Sequence, residues 1–352
     1  MASPRVSILI NNFNYARFLG TCIDSALAQT YSGVEVIVVD DCSTDNSRDV
    51  IAKYAGQIRT VLHAQNAGQG AAINSGFQVS NGDIIMLLDA DDLLYRDAAA
   101  KVVQRWVPGC SKMQYRLDLM DASGAKVDVY PPPEIRFDSS DIIPRLLNRG
   151  RYETTVTSGT SFGRAALRAV IPIPEKEFRI SADGYLAVVT PFYGPVISIE
   201  QPLGLYRQHG FNAWSANTLP QLGNHLRRSL LHDECKYGAL CEQAQKHGLS
   251  VMANPGLRDY QHIEVRLASL RLEPNMHPYP RDSPLKLALQ GVAAACSART
   301  TPARRAVLAG WFLTVGLSPT TLAGHAIAWR LAPFARSKRV DRLLKVMRRL
   351  AG

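Results

Sequence analysis

The stretch Asp83–Asp92 reads DIIMLLDADD. Ile84–Leu88 is an unbroken apolar run with no helical spacing, the pattern of a strand buried on both faces. Three carboxylates, Asp89, Asp91 and Asp92, then follow within four residues. Acids crowded at a strand end repel one another and need a partner. A hard divalent cation, Mg²⁺ or Mn²⁺, is such a partner, because it takes oxygen ligands and bridges one or two carboxylates to substrate phosphates. A solvated turn in which Asp92 or Asp97 caps the next helix accounts for the same letters. The segments on either side weigh between the two.

Upstream, apolar β-rich runs at Val6–Ile10, Val34–Val39 and Ile58–His63 alternate with helically spaced segments at Ala16–Gln29, Asp45–Ala55 and Gly70–Val79. Strand–helix alternation with near-continuous apolar strands predicts an α/β protein with a parallel sheet covered on both faces. Ligands of such sheets bind beyond the carboxyl ends of the strands. Each strand here is followed by a polar cluster: Asn11–Asn14, Asp40–Asp45, Asn66–Gly70 and Asp89–Asp92. All four are expected on one rim. In VIVVDDCSTD (Val36–Asp45), Asp40 and Asp41 have the chemistry to accept hydrogen bonds from a base N–H or ribose hydroxyls, while Asp45 or Thr44 suits a helix cap. In NAGQGAAINSGF (Asn66–Phe77), Gly68 and Gly70 let backbone approach a ligand or allow close helix packing. Gly68-x-Gly70 falls short of a dinucleotide fingerprint, since position 73 is Ile. A nicotinamide-dependent oxidoreductase built on that loop is therefore a rival reading, as is a non-catalytic nucleotide-sugar binder.

Farther along, two strand-like runs between Lys112 and Tyr130 flank a turn at Asp121–Gly124. Residues 138–149 read as helix, Thr154–Phe162 as strand, Gly163–Val170 as helix, and Ile180–Val189 brings Asp183 to a helix start. Val196–Ile199 and Leu203–Arg207 read as short strands ahead of Gln208-His209-Gly210. Beyond residue 216 the pattern is helical: 220–247, 256–272, 284–298, 303–331 and 336–350. Two regions result, a catalytic domain over 1–215 and a helical region over 216–352.

Hydrophobic residues at 46% and charged residues at 20% describe ordinary globular composition and exclude disordered, collagen-like and disulfide-scaffold chains. The net charge of +10 is localised. Residues 299–352 carry eleven Lys/Arg and one acid, Asp341, so residues 1–298 sum to zero. A chain-wide nucleic-acid surface is not expected. The six cysteines form no CxxC pair and read as reduced thiols of a cytosolic protein, and MASPRVSILI has no signal-peptide pattern. Ala306–Trp329 lacks Asp, Glu, Lys and Arg, but Pro319 splits it, which predicts two short helices, 303–317 and 320–331. They either pack as a helical subdomain or lie in a membrane interface with Trp311, Phe312 and Trp329 as anchors. Arg336–Arg349 reads as a basic amphipathic helix. The expectation is a cytoplasmic protein, peripherally attached to the inner face of the plasma membrane through about residues 299–352.

In order and spacing, VSILINNFNYARFL, VDDCSTD, NAGQGAAINSGF and LLDADD resemble the family 2 inverting glycosyltransferases, over about residues 4–215. The resemblance implies a GT-A fold, a Rossmann-like nucleotide-diphospho-sugar transferase domain with a C-terminal α-helical extension here. It implies a nucleotide-sugar donor, UDP-linked, a glycan or lipid-linked acceptor, and a role in surface polysaccharide or glycoconjugate synthesis. Asn12 and Phe13 match positions that hold the nucleotide, and Asp41 with Asp40 beside it matches the acids toward base and ribose. Cys42 replaces the usual Gly. Asn66 and Gly70 fall in the third nucleotide-side block. Asp89 matches the acid toward ribose, Asp91 the metal ligand, and Asp92 is an auxiliary ligand. ISADGYL (Ile180–Leu186) matches the segment supplying the catalytic base, Asp183. LYRQHGFN (Leu205–Asn212) matches one that closes over the nucleotide, with Arg207 toward the diphosphate and His209 as a metal ligand. Ser158–Ser161 are expected to line the acceptor site.

Overall fold

The structure is a computed structural model that describes residues 3–121, 124–209, 219–298 and 300–332. The first alternation is β1 (Val6–Asn12), α1 (Ala16–Leu27), β2 (Val34–Asp40), α2 (Ser47–Ala52), β3 (Arg59–Leu62), α3 (Gln69–Val79) and β4 (Ile84–Asp89). After it come β5 (Leu93–Leu94), α4 (Ala98–Arg105), β6 (Lys112–Met120), β7 (Lys126–Tyr130), α5 (Ile143–Arg149), β8 (Thr160–Gly163), α6 (Arg164–Val170), α7 (Ala182–Val189) and β9 (Val196–Arg207). The last helices are α8 (Leu219–Lys246), α9 (Tyr260–Leu272), α10 (Pro284–Cys296), α11 (Pro302–Leu317) and α12 (Thr320–Leu331). Two compact units divide the described residues. One draws on described residues within 3–146, 152–209 and 239–249, the other on those within 147–151, 219–238 and 250–332.

The sheet runs β3-β2-β1-β4-β8-β6-β9-β5, with β7 on β6. β1 pairs in parallel with both β2 and β4, so Asn12 lies opposite Asp40 and Asn11 opposite Asp89. This register brings three of the expected polar clusters level. The parallel pairing expected over the first four strands is present, and the sheet as a whole is mixed, because β8 enters antiparallel between β4 and β6. The strand expected over 154–162 is confined to Thr160–Gly163, behind a 3₁₀ turn at Thr157–Gly159. The helix expected over 138–149 starts only at Ile143. Pro144 has no N–H to donate and suits a first turn, not an interior. The two strands expected over 196–207 are one, whose pairing with β6 shifts register near Pro202.

Cys42 has a φ of 62°, a left-handed conformation that favours glycine. Asp45 serves two helices, accepting from Ala16 N (2.9 Å) at the start of α1 and from Ser47 N (3.0 Å) at the start of α2.

The second unit has its own core, in which Leu267, Leu287, Leu308, Phe312, Val315 and Ile327 meet. Two of the three aromatics expected as interface anchors belong to it: Trp311 is 5% exposed and Phe312 fully buried. Trp311 Nε1 donates to Ala326 O (3.0 Å), and Phe312 fills the space left by Gly291. Extracting either ring forfeits about 1.5–3 kcal/mol of burial, so they hold helices together. The helix expected over 336–350 lies outside the described residues. Among the described residues, no helix is long and apolar enough to cross a membrane.

Candidate active site

At the carboxyl end of β4 the three acids diverge. Asp92 is fully buried. It accepts from Ser158 Oγ (2.5 Å) and from Arg207 N (2.9 Å), clamping β9 and the 3₁₀ turn to the strand end. Ser158 Oγ also accepts from Asp89 N (3.0 Å). Ser158 and Ser161 are both fully buried; the Ser158 hydroxyl braces the acids, and that of Ser161 donates to Tyr115 OH (3.4 Å). Asp91 Oδ2 lies 2.9 Å from His209 Nε2. The imidazole stacks on Phe18 with ring centroids 5.2 Å apart and meets Tyr15 edge-on at 5.8 Å. Arg207 donates from Nε to Asp91 O (3.0 Å), and its guanidinium lies 4.5 Å from the Phe18 ring centroid. Tyr15 and Phe18, two aromatics three apart at the start of α1, thus pack against the His209 ring, and Phe18 also against the Arg207 guanidinium. In the sequence, Phe18 stands out only as one residue of the helically spaced segment Ala16–Gln29.

Asp89 keeps part of its surface at the rim. Its Oδ1 accepts from Asn11 Nδ2 (2.9 Å) and from Gln69 Nε2 (3.0 Å). Burial, with Asp91 and Asp183 nearby, pushes its carboxyl up to about 7. Burial and the charges of Asp91 and Asp89 push Asp92 upward too. A carboxylate cluster held in this way favours a cation that relieves the repulsion.

The acids after β2 are engaged by protein donors. Asp40, fully buried, accepts from Asn12 Nδ2 (2.7 Å), Ser43 N (3.1 Å) and Arg48 Nε (3.2 Å). Asp41 accepts from Ala67 N (2.8 Å) and Gly68 N (2.6 Å), and its Oδ1 lies 2.8 Å from His63 Nδ1. Asp41 fixes the loop after β3, while Asp40 ties the end of β1 to the turn after β2 and to Arg48. Asn66 joins that loop, donating from Nδ2 to Asp41 O (3.0 Å) and accepting from Arg179. His63, whose Nε2 lies 2.9 Å from Ser75 Oγ, escaped the sequence reading. Phe13 is 42% exposed, a ring open to stacking. Buried oxygens of Asn11 and Asn12, Oδ1 in each case, have no hydrogen-bond partner among the described residues, and buried polar atoms normally have one.

Gly68 and Gly70 serve packing. Gly68 has φ +93°, and a Cβ there would lie 2.5 Å from Arg179 O; one on Gly70 would lie 2.8 Å from Phe178 O. The segment before α7 lies against both glycines, so the close approach they allow is to protein backbone. Through this packing Gln69 reaches α7, its Oε1 accepting from Ala182 N (2.9 Å). Asp183 follows in the first turn of α7, and its charge is felt by both Asp89 and Lys112. Lys112 is 1% exposed. It donates to Tyr152 OH (2.9 Å), Gln114 Oε1 (3.2 Å) and Thr154 Oγ1 (2.5 Å). Burial pulls its ammonium down to about 7, against the opposing charge of Asp183. A strand-initial lysine gave no sign of this in the sequence.

Among the described residues, no group of three or more His, Cys, Asp or Glu forms a ready-made metal cage. The donor chemistry still suits a cation that completes its shell with phosphate oxygens. Asp91 Oδ2 and His209 Nε2 are 2.9 Å apart. Adjacent ligands of an octahedral ion with bonds of about 2.0–2.1 Å are separated by about that much, and Mn²⁺ accepts both carboxylate and imidazole.

The family model described as glycosyl transferase family 2 matches residues 7–113. An uncharacterized glycosyltransferase of Nostoc sp. is 35% identical over 215 residues, which are 59% of this chain and 66% of that protein. Glycosyltransferase GlyG of Streptococcus pneumoniae is 34% identical over 106 residues, 29% of this chain and 35% of GlyG. The chain therefore spans just under two thirds of the first relative and about a third of the second. Among solved structures, TarS residues 1–349 from S. aureus in complex with UDP-GlcNAc is similar over 94% of this chain and 93% of that one (TM-score 0.51, 16% identity). Mannosyltransferase PcManGT from Pyrobaculum calidifontis, in complex with GDP-Man and Mn2+, is similar over 94% and 86% (TM-score 0.50, 18% identity). At these identities the likeness speaks for the fold.

Proposed function

We propose that this chain, which belongs to the family 2 glycosyltransferases and has their α/β GT-A fold with a helical C-terminal extension, transfers a sugar from a nucleotide-sugar, UDP-linked, to a glycan or lipid-linked acceptor. Transfer proceeds with inversion and with a divalent metal, and it serves the building of a surface polysaccharide or glycoconjugate. The observation that carries this reading is one cluster. Asp91, His209 and Arg207 meet above α1, and Asp183 is close enough to Asp89 for its charge to raise that carboxyl.

Asp91 and His209 would hold the cation, Mn²⁺ or Mg²⁺, which supplies charge neutralisation for the departing diphosphate. Arg207 adds a guanidinium to the same phosphates. Asp89, Asn12 and Phe13 receive the nucleoside, with Asp40, Asp41, Asn66 and Gly70 shaping the loops around it and Asp92 bracing the strand end. Asp183 takes the proton of an acceptor hydroxyl. That oxygen bonds to the anomeric carbon opposite the leaving group, and the carbon–phosphate oxygen bond breaks with its electron pair going to the diphosphate.

Melting temperature of the intact protein is measured with UDP, GDP and CDP, with and without Mn²⁺, since a ligand of the folded state raises it by mass action. Turnover of UDP-GlcNAc, UDP-glucose, UDP-galactose and GDP-mannose is assayed next. The proposal expects a metal-dependent shift with UDP, and an Asp183→Asn protein that keeps the shift and loses turnover. No shift with any nucleotide sinks the reading.

A further inference from the structure

Past its first turn, α11 carries no charge. From Ala306 to Leu317 there is no Asp, Glu, Lys or Arg, although a helix face turned to water normally presents charged residues. Val307 (54%), Leu313 (39%) and Leu317 (60%) are exposed there. On α10, Leu285 and Leu289, four residues apart, are 53% and 57% exposed. The two helices run antiparallel, since Gly316 abuts Ala288 while Gly291 abuts Phe312. This register brings Leu285 level with the end of α11 and Leu289 level with its last turns. α12 begins at the same end, and its Leu322 is 53% exposed. Large apolar side chains gathered on one region of a surface mark an interaction site.

The charge on these helices and in the sequence that follows them selects the partner. Arg304 and Arg305 open α11, Lys286 is exposed between the two leucines of α10, and the twenty residues from 333 on hold seven Lys/Arg and one acid. A second copy would bring a like-charged segment against this one. A bilayer with anionic lipids offers hydrocarbon to the leucines and negative headgroups to the cations. Since none of these helices is long and apolar enough to cross a membrane, the contact is with its surface.

We propose that the exposed leucines of α10, α11 and the start of α12 form a docking surface for an anionic membrane. This stands independently of the sugar-transfer reading. Full-length protein is floated with vesicles of phosphatidylcholine alone and of phosphatidylcholine with phosphatidylglycerol. It is expected to rise only with the anionic vesicles, less so at high salt. Leu313→Asp/Leu317→Asp is expected to lower vesicle binding at least about tenfold while leaving circular dichroism and melting temperature near those of wild type. Hydrogen exchange of wild type over 303–317, which needs no variant, should slow on phosphatidylglycerol vesicles alone. Wild type that stays at the bottom of the gradient overturns the proposal, as does a folded double variant that floats equally well.

Discussion

A single side chain joins Asp89 to Ala182. Gln69 donates from Nε2 to Asp89 Oδ1 (3.0 Å) and to Thr157 Oγ1 (3.2 Å), while its Oε1 accepts from Ala182 N (2.9 Å). Ala182 opens α7, and its N–H is one of those a helix start leaves without an internal partner. Ser181 before it has a left-handed φ of 58° and contributes no side-chain cap. The cap comes instead from a residue 113 positions away. Gln69 thereby ties the carboxylate on the donor side to the helix that carries Asp183.

Replacing Gln69 should separate these two tasks. Gln69→Ala removes both arms, and with hydrogen bonds worth about 0.5–1.5 kcal/mol each, kcat is expected to fall about tenfold and donor KM to rise. Gln69→Glu keeps an acceptor for Ala182 N but sets a like charge against Asp89, so KM should rise with kcat nearly retained. Steady-state kinetics of both variants decide this; a wild-type kcat in Gln69→Ala would release α7 from its dependence on Gln69.

The divergent surroundings of Asp91 and Asp92 predict opposite phenotypes for neighbouring acids. Asp91→Asn and His209→Ala should weaken the Mn²⁺-dependent thermal shift with UDP at least about tenfold in metal concentration, with urea stability close to wild type. Asp92→Asn should lower urea stability by about 1–3 kcal/mol, because one of the groups it satisfies, Ser158 Oγ or Arg207 N, is left buried without its acceptor. A normal unfolding midpoint in Asp92→Asn would mean that the clamp is not needed.

Much of this site was legible because buried parallel strands announce themselves. Ile84–Leu88 and Val36–Val39 are continuous apolar runs, and in a parallel register the residues just past their carboxyl ends must share a rim. The same logic found Asp40, Asp41, Asp89 and Asp91. It did not reveal that Asp40 and Asp41 are held by loop amides, nor that Gly68 and Gly70 make room for Arg179 and Phe178. The amides that hold Asp41 come from a loop 26 and 27 residues on, and the packing of the glycines depends on a segment more than a hundred residues downstream. Lys112 was illegible for the same reason: Tyr152 and Thr154, which enclose its ammonium, lie 40 and 42 residues away. On α11 the uncharged stretch was plain, but which of its aromatics face the core was not, because Gly291 and Ala288, which receive α11, lie on another helix.

The glycines test the packing argument directly. Gly68→Ala must carry a side chain at φ +93° and against Arg179 O, a strain of about 1–3 kcal/mol. Gly56→Ala shares a positive φ, +82°, but has nothing within 4 Å of its Cβ. Melting curves should show Gly68→Ala as the more damaging of the two. Comparable losses would mean that backbone conformation alone, without the approach of the 173–181 segment, sets the requirement at Gly68.

Asp89 and Lys112 predict the pH dependence of stability in the metal-free protein. The Asp89 carboxyl is raised from its ordinary 3.8 to about 7, so between those values the folded state binds more protons than the unfolded one. Its contribution to stability is full below about pH 4 and is lost as pH rises through 7. The Lys112 ammonium is lowered from 10.5 to about 7, so between 7 and 10.5 the unfolded state binds more protons, and stability from this group grows with pH. The two trends meet in a minimum near pH 7. Urea midpoints measured from pH 5 to pH 10 without metal should trace that dip. Lys112→Met should flatten the alkaline side and leave the acid side in place, while Mn²⁺ with UDP should fill the minimum by supplying the charge that Asp89 and Asp91 lack. An alkaline rise that persists unchanged in Lys112→Met would show that the buried ammonium is not its source.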